Sequence, residues 1–325
     1  MKKILITGAS GFIGSHLVEL FLKKKINVVA YDLYNSNNNW GWLEHLRKKK
    51  NLQVILGDVS DKKSVEDAAK GCEVIVHLAS LIGIPYSYKS PYSYINTNIV
   101  GTYNILETAL KNKIQNTLIT STSEVYGEQK YIPIDEKHSV EASSPYASTK
   151  IAADNLALSY FKSFKLPVKI IRPFNVFGPR QSGRGIIPSV ILQILSKKRT
   201  IQAGNLYPMR DYTYVKDTCN AIYSISRLKS NANGEIFNIG TNKTHSVKSI
   251  IDLIKKLMNS KKKIEIKTNR VRPKKSEVDI LKCNNKKLKK FSKWNYQYSF
   301  ENGLKETIKW FENNHQRFKS DIYNI

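Results

Sequence analysis

Lys3-Ile-Leu-Ile-Thr-Gly8-Ala-Ser-Gly11-Phe-Ile-Gly14 decides the fold. The first five residues are apolar and β-branched enough to form a buried strand, and a helical pattern runs from 12 to 24. Between them, glycines permit a tight turn and a close approach to the backbone, while the helix N-terminus attracts an anion. Asp32 follows the second strand, about 18 residues after Gly14. A carboxylate there accepts hydrogen bonds from the hydroxyls of an adenosine ribose and repels a 2′-phosphate. A glycine triplet alone also marks ordinary turns. In this strand–turn–helix setting it predicts a dinucleotide site for NAD rather than NADP, built from Gly8, Gly11, Phe12, Ile13, Gly14 and Asp32. Asp58 and Val59, after the third strand, are expected to border the adenine.

The same rhythm continues outward. Strands are expected over 3–7, 27–31, 52–56, 73–78, 116–121 and 168–172, with helices over 12–24, 62–70, 91–111 and 146–164. Such alternation implies an α/β fold, a Rossmann-type doubly wound parallel sheet with helices on both faces. After Arg172-Pro173 the pattern changes to a Gly-Pro-Arg-rich loop, Gly178 to Gly185, then mixed helices and short strands up to a helix over 300–313. The expected division is an NAD-binding domain over 1–172 and a smaller mixed α/β substrate domain over 173–325. A strand near 235–240 is expected to return to the main sheet.

Composition narrows the class. The chain has 325 residues, 41% of them hydrophobic, ample for a large core. Cys72, Cys219 and Cys283 show no C-x-x-C spacing, which argues against a disulfide framework or a metal site and fits a reducing cytoplasm. The first apolar run breaks at Gly8, too early for a signal peptide, and no run approaches the roughly 18 apolar residues of a membrane span. A soluble cytoplasmic protein with no membrane partner is expected. The formal charge of +27 comes largely from lysines dispersed in short runs, at 23–25, 48–50, 261–263 and 286–290, near helix ends or in loops. Without a stacking-aromatic platform or a nucleic-acid motif, the charge reads as solvated surface with some attraction for anionic substrates, and no nucleic-acid partner is expected.

Two further stretches carry chemistry: Ser121-Thr122-Ser123-Glu124-Val125-Tyr126-Gly127 and Tyr146-Ala-Ser-Thr-Lys150. Tyr146 and Lys150, four apart, share a helix face. A phenol with pKa near ~10 is a poor base at neutral pH, and a neighbouring ammonium makes its phenolate accessible. Thr122 can hydrogen-bond a hydroxyl under oxidation. Glu124 lies past the end of a strand, where open α/β sheets place their ligands. Once C4 of a sugar is a ketone, its C5 proton is acidic and a carboxylate can remove it. Loss of the C6 hydroxyl and return of the hydride to C6 then leave the cofactor as it began. Singly, the Tyr–Lys spacing is compatible with a surface pair and Glu124 with a turn cap or a lysine partner; their position beside one strand end is what points to catalysis.

Together these residues resemble the extended short-chain dehydrogenase/reductase family over nearly the whole length. The resemblance includes Gly57-Asp58-Val59, His77-Leu-Ala-Ser80, Asn98-Ile-Val-Gly101-Thr102, Arg172-Pro-Phe-Asn175-Val-Phe-Gly-Pro-Arg180 and Arg210-Asp-Tyr-Thr-Tyr-Val215. It implies a nucleotide-sugar substrate and a homodimer packed through two helices of each subunit. Leu78, Ala79 and Asn98 become further cofactor contacts, and Asn175, Arg180, Arg210 and Arg272 become groups for the substrate, its diphosphate above all. Tyr34-Asn-Ser-Asn-Asn-Asn-Trp-Gly-Trp42-Leu, Leu81-Ile-Gly-Ile-Pro-Tyr-Ser-Tyr88 and Arg272-Pro-Lys-Lys-Ser-Glu-Val278 are similar to the 4,6-dehydratases of legionaminic acid biosynthesis. Those aromatics equally suit packing beside the cofactor. Many 4,6-dehydratases have Asp where this chain has Ser123, and UDP-glucuronate decarboxylases also carry Thr-Ser-Glu. Lys216 stands where acidic or small residues are common. The reading is an NAD-dependent 4,6-dehydratase of GDP- or UDP-N-acetylglucosamine, with Thr122, Ser123, Glu124, Tyr146 and Lys150 catalytic. A UDP-glucuronate decarboxylase or C4 epimerase is the alternative, and a non-catalytic NAD-sensing or nucleic-acid-binding protein a remote one.

Overall fold

The computed structural model describes residues 1–271 and 277–319. Its amino-terminal half alternates as the apolar periodicity dictates: β1 (Lys3–Thr7), α1 (Phe12–Lys23), β2 (Asn27–Asp32), β3 (Leu52–Leu56), α2 (Lys62–Ala68) and β4 (Val74–His77). There follow α3 (Ile84–Ser87), α4 (Pro91–Tyr94), α5 (Gly101–Lys111), β5 (Asn116–Thr120), α6 (Pro145–Phe164) and β6 (Val168–Pro173). Later come β7 (Asn175–Phe177), α7 (Ile186–Leu195), β8 (Thr200–Ala203), β9 (Met209–Tyr214), α8 (Val215–Ser226) and β10 (Ile236–Ile239). The chain continues through β11 (Thr244–Ser246), α9 (Val247–Leu257), β12 (Lys263–Ile266), β13 (Ile280–Leu281), α10 (Lys286–Ser292) and α11 (Phe300–Asn314).

Seven strands form one parallel sheet in the order β10-β6-β5-β4-β1-β2-β3. Successive side chains of a strand point to opposite faces, so each strand feeds two cores. Ile4, Ile6, Val28, Ala30, Val74, Val76 and Leu118 pack toward Leu17, Val18 and Phe21 of α1 and Ala221, Ile222 and Ile225 of α8. Leu5, Val29, Ile75, Ile119, Val168 and Ile170 pack with Val65 and Ala68 of α2, Ile105 and Leu106 of α5 and Ala157 of α6. The order reverses between β1 and β4, which opens a crevice at the carboxyl ends of these strands.

The helix that borders that crevice has its start set by local chemistry. Ser144 caps α6 by accepting the Ala147 N–H at 3.1 Å, and Pro145 occupies the first helical position, where no N–H is needed. Tyr146 therefore enters the helix at its first turn, beside the end of β5.

A single helix was expected over 91–111. Instead a π-helical stretch, Ile95–Val100, joins α4 to α5. The widened turn contains Asn98, fully buried, whose amide oxygen accepts Ser80 Oγ and Leu81 N–H at 2.9 Å each. Its amide nitrogen donates to Leu81 O at 3.1 Å and Thr149 Oγ1 at 3.0 Å. A mid-helix π turn costs regular hydrogen bonding and commonly marks a functional position; here it ties the loop after β4 to α6. The lysines at 286–290, expected near a helix end or in a loop, form the first turns of α10. Lys287 pairs with Glu235 at 2.5 Å and lies 5.4 Å from the Phe237 ring centre.

The remaining strands make a small mixed sheet, β11-β9-β13 with β7 beside β9, and a two-stranded β12–β8 ribbon. Asp211 of β9 joins these parts. Its carboxylate accepts Thr241 N–H (2.8 Å), Thr241 Oγ1 (2.7 Å), Asn242 N–H (2.7 Å) and Cys283 N–H (3.3 Å). Burial pushes this carboxyl up to about 6, against those donors. Asp211→Asn removes a charged acceptor from four donors and is expected to cost about 2–3 kcal/mol of stability in urea unfolding.

Candidate active site

The turn after β1 tolerates no side chain at its key positions. Gly8 has φ +65°, and a Cβ there would lie 2.8 Å from Ala79 N; one on Gly14 would lie 2.1 Å from Gly8 O. The turn is thus a bare backbone cradle at the start of α1, where Gly11, Phe12 and Ile13 open the helix. Asp32, at the end of β2, accepts the Ser10 N–H from this turn and the Leu33 N–H at 2.8 Å. Each carboxylate oxygen keeps a further lone pair for a hydroxyl. Leu78 and Ala79 donate to Thr7 O and Oγ1 at 3.2 and 3.1 Å, which holds the end of β4 against the cradle. Asp58 is exposed and accepts Ser60 N–H and Oγ at 2.8 Å, while Val59 is buried under Gly101. A cradle closed to any Cβ, flanked by a ribose-compatible carboxylate, fits NAD.

Gly41, at φ +55°, brings the Trp40–Trp42 loop against Ser10. Trp42 meets Trp310 of α11 edge-on at 5.4 Å, and Arg317 lies 5.4 Å from the Trp42 ring. In the described residues this tryptophan is therefore a packing group that joins the cofactor loop to the last helix.

Beyond β5, Thr122 caps a 3₁₀ turn, Ser123–Tyr126, by accepting the Glu124 N–H at 3.2 Å. Its hydroxyl lies beside the Tyr146 phenol and favours its ionised form. Tyr146 is buried, edge-on to Tyr94 with ring centres 6.2 Å apart. Burial raises the phenol's pKa, Thr122 opposes the rise, and the charge of Glu124 adds to it. Lys150, one turn on, is also buried and donates to Thr120 O at 2.5 Å. Burial lowers its ammonium to about 8, with Asp154 opposing. Ser123 is buried, and Glu124 is half-buried. Among the described residues the Glu124 carboxylate has no hydrogen bond or ion pair; the cap of this turn is Thr122, and no lysine has claimed the acid.

Thr122, Ser123, Glu124, Tyr146 and Lys150 thus meet at one strand end. The expected substrate groups are less uniform. Asn175 begins β7 and pairs with Tyr212 across to β9. Arg180, with φ +69°, binds Glu19 of α1 at 2.6 Å. Arg210 is 7% exposed and donates to Met209 O, Asp279 O and Glu277, so its guanidinium already has protein partners. Arg272 lies outside the described residues. Lys216, unexplained in the sequence, sits over the rings of Tyr214 and Tyr298 at 5.8 and 5.6 Å.

Other polar groups lie near this strand end: His77 and Arg172 belong to the resemblance motifs but had no role assigned, and Asp154 was not singled out. His77 lies between Thr7 (2.8 Å) and Thr102 (3.3 Å), and burial followed by the Lys150 charge lowers it to about 3, so it is neutral. Asp154 and Arg172 form a buried ion pair at 2.9 Å. The i, i+4, i+8 spacing of Tyr146, Lys150 and Asp154 was the signal that could have found the acid.

Comparison with known proteins sets this geometry in context. The chain matches the family model for GDP-mannose 4,6 dehydratase over residues 5–307. UDP-N-acetyl-alpha-D-glucosaminuronate decarboxylase of Bacillus cytotoxicus is 34% identical over 321 residues, 95% of this chain and 98% of that protein. The crystal structure of dTDP-glucose 4,6-dehydratase from Bacillus anthracis in complex with NAD is 29% identical with a TM-score of 0.88, covering 98% of this chain and 99% of that one. UDP-glucuronic acid 4-epimerase from Bacillus cereus, in complex with UDP-glucuronic acid and NAD, is 28% identical with a TM-score of 0.89, covering 96% and 99%.

The cradle makes a direct prediction. Gly14→Ala forces the turn apart, and calorimetric titration is expected to show at least a ~10-fold loss of NAD affinity while the far-ultraviolet spectrum of the fold persists.

Proposed function

The chain belongs to the extended short-chain dehydrogenase/reductase family of nucleotide-sugar dehydratases, decarboxylases and epimerases, and we propose that it is a 4,6-dehydratase of GDP- or UDP-linked N-acetylglucosamine. Its cofactor is NAD, which when bound takes up the C4 hydride and gives it back at C6. Gly8, Gly11, Gly14 and Asp32 hold the dinucleotide. Thr122 orients the C4 hydroxyl, and Tyr146, as phenolate, takes its proton. Lys150 supplies the positive charge that makes the phenolate accessible. Glu124 then removes the C5 proton made acidic by the C4 ketone. The C5–H electron pair forms the C5–C6 double bond, and the C6 hydroxyl departs. Ser123 is too weak an acid to protonate that leaving group, so Glu124 passes on the proton it has just taken, and water is released; Glu124 then takes a proton from solvent and delivers it to C5 when C6 is reduced. Residues 173–325, apart from the strand that rejoins the sheet, supply the nucleotide-sugar side of the cleft, with Asn175, at the start of β7 just past β6, among its polar groups.

The observation that carries this reading is the half-buried Glu124 carboxylate beside Tyr146, without a hydrogen bond or ion pair among the described residues. An epimerase has no evident use for a C5 base. The 34% identity to a glucosaminuronate decarboxylase favours decarboxylation as the second reading. There the C4 ketone makes the C6 carboxylate a β-keto acid that loses carbon dioxide without a base at C5. UDP-glucuronate decarboxylases carry the same Thr-Ser-Glu triplet, so the separation of the two reactions rests on which group leaves, water or carbon dioxide.

The homodimer is part of the proposal. Tyr92 (77% exposed), Ile95, Val100, Tyr103 and Leu110 lie exposed along α4, the π-helical stretch and α5, an apolar outer stripe suited to a second copy. Sedimentation equilibrium is expected to give twice the monomer mass, and Tyr103→Glu is expected to shift the protein toward monomer.

The deciding experiment incubates the protein in heavy water with GDP- and UDP-N-acetylglucosamine, dTDP-glucose and UDP-glucuronate, followed by mass spectrometry. Loss of water with one deuterium gained at C5 is the expected result; loss of carbon dioxide from the uronate alone assigns the decarboxylase instead. Tyr146→Phe is expected to lower turnover by about 10³-fold with NAD binding kept. Glu124→Gln is expected to leave C4 oxidation in place and abolish deuterium uptake at C5.

A further inference from the structure

We propose that Asp154 is a positioning residue for Lys150: its buried carboxylate holds the lysine as a cation beside Tyr146 and links it to Arg172. Tyr146, Lys150 and Asp154 follow one another at successive turns on one face of α6, and all three are buried. Asp154 Oδ2 accepts Ser121 Oγ at 2.9 Å and both Nε and Nη2 of Arg172, at 3.0 and 2.9 Å. Oδ1 is buried and has no hydrogen-bond partner among the described residues. Arg–carboxylate pairs are frequently bidentate, with the guanidinium fork on both oxygens. Here three donors converge on one oxygen, and the other is left buried in an interior that also contains Lys150.

Among the described residues, the surroundings offer Lys150 no other anion so deeply buried. Ser121 comes from the end of β5 and Arg172 from β6, with the guanidinium 4.9 Å from the Tyr126 ring centre. His77 of β4 is neutral, and Tyr94 and Tyr146 are uncharged phenols in the resting chain. Glu124 acts on Tyr146 from the open side of the cleft. Burial raises the Asp154 carboxyl, and Arg172, Ser121 and Lys150 oppose the rise. Without Asp154, two buried cations remain with no counter-charge, and Lys150 is the one that can lose its proton. A neutral lysine cannot favour the Tyr146 phenolate.

This inference rests on the proposed Tyr146–Lys150 oxidation. That step is common to dehydratase, decarboxylase and epimerase, so the inference does not depend on which reaction follows. Its test needs no sugar substrate. In full-length protein loaded with NAD, ¹⁵Nζ-lysine NMR follows Lys150, assigned by its loss in Lys150→Gln. Lys169, buried against Asn116 and Asn233 and also lowered to about 8, is the internal control. Asp154→Asn is expected to lower the Lys150 midpoint by about one pH unit or more and leave Lys169 unmoved. Because the single change strands Arg172, the double variant Asp154→Asn/Arg172→Met is measured beside it, with the same downward shift expected. An unmoved Lys150 midpoint in a folded variant overturns the proposal. So does ¹³Cγ-aspartate NMR of the unaltered protein, if Asp154 is protonated at pH 7. A normal Lys150 shift together with failure of the heavy-water experiment would instead leave this inference standing and remove the dehydratase.

Discussion

Packing one face of α6 against the ends of β5 and β6 imposes the constraint on which the site depends. That face carries a phenol, an ammonium and a carboxylate, and all of them are taken out of water. Isolated charges cannot be buried without compensation. The fold answers with the Thr120 carbonyl for Lys150, with Ser121 and Arg172 for Asp154, and with Thr122 for Tyr146. Each compensating group lies at the carboxyl end of β5 or β6, where the crevice opens.

Burial and charge pull the reactive pair in opposed directions. Desolvation favours neutral forms, so it raises Tyr146 and lowers Lys150. In the chain alone burial is the larger effect for both. The reactive state, phenolate beside ammonium, is therefore disfavoured at rest and needs added positive charge or hydrogen bonds at the strand end. Thr122 and Asp154 already work in that direction. Glu124 works against it, which places the base for the later step in tension with the base for the first.

The cofactor cradle obeys a steric constraint rather than an electrostatic one. The backbone of Gly8, Ala79 and Gly14 approaches so closely that a single added carbon would collide. The same end of β4 is fastened from the other side by Asn98, through its bonds to Ser80, Leu81 and Thr149. One buried amide thus couples the loop beside the cradle to the helix that carries Tyr146. The π-helical turn is the deformation that lets Asn98 reach both.

How much of this was legible from the residues follows from the range of each interaction. Strand–helix alternation, the parallel sheet, the glycine cradle with Asp32, and the placing of Thr122, Glu124, Tyr146 and Lys150 at one strand end are consequences of local period and motif spacing. The sequence by itself determined those, because apolar period and glycine geometry act over a few residues. Only the tertiary structure decided that Arg210 and Arg180 have protein carboxylates as partners while Glu124 has none among the described residues. It alone revealed the π turn at Asn98, since the same side chains suit a regular helix, and the stacking of Lys216 on two tyrosines. Asp154 belongs to both levels: its spacing on α6 was in the sequence, but its pairing with Arg172 and Ser121 required two strands to arrive beside it. Charge partners are set by what folding brings within about 4 Å, and sequence separation does not encode that distance.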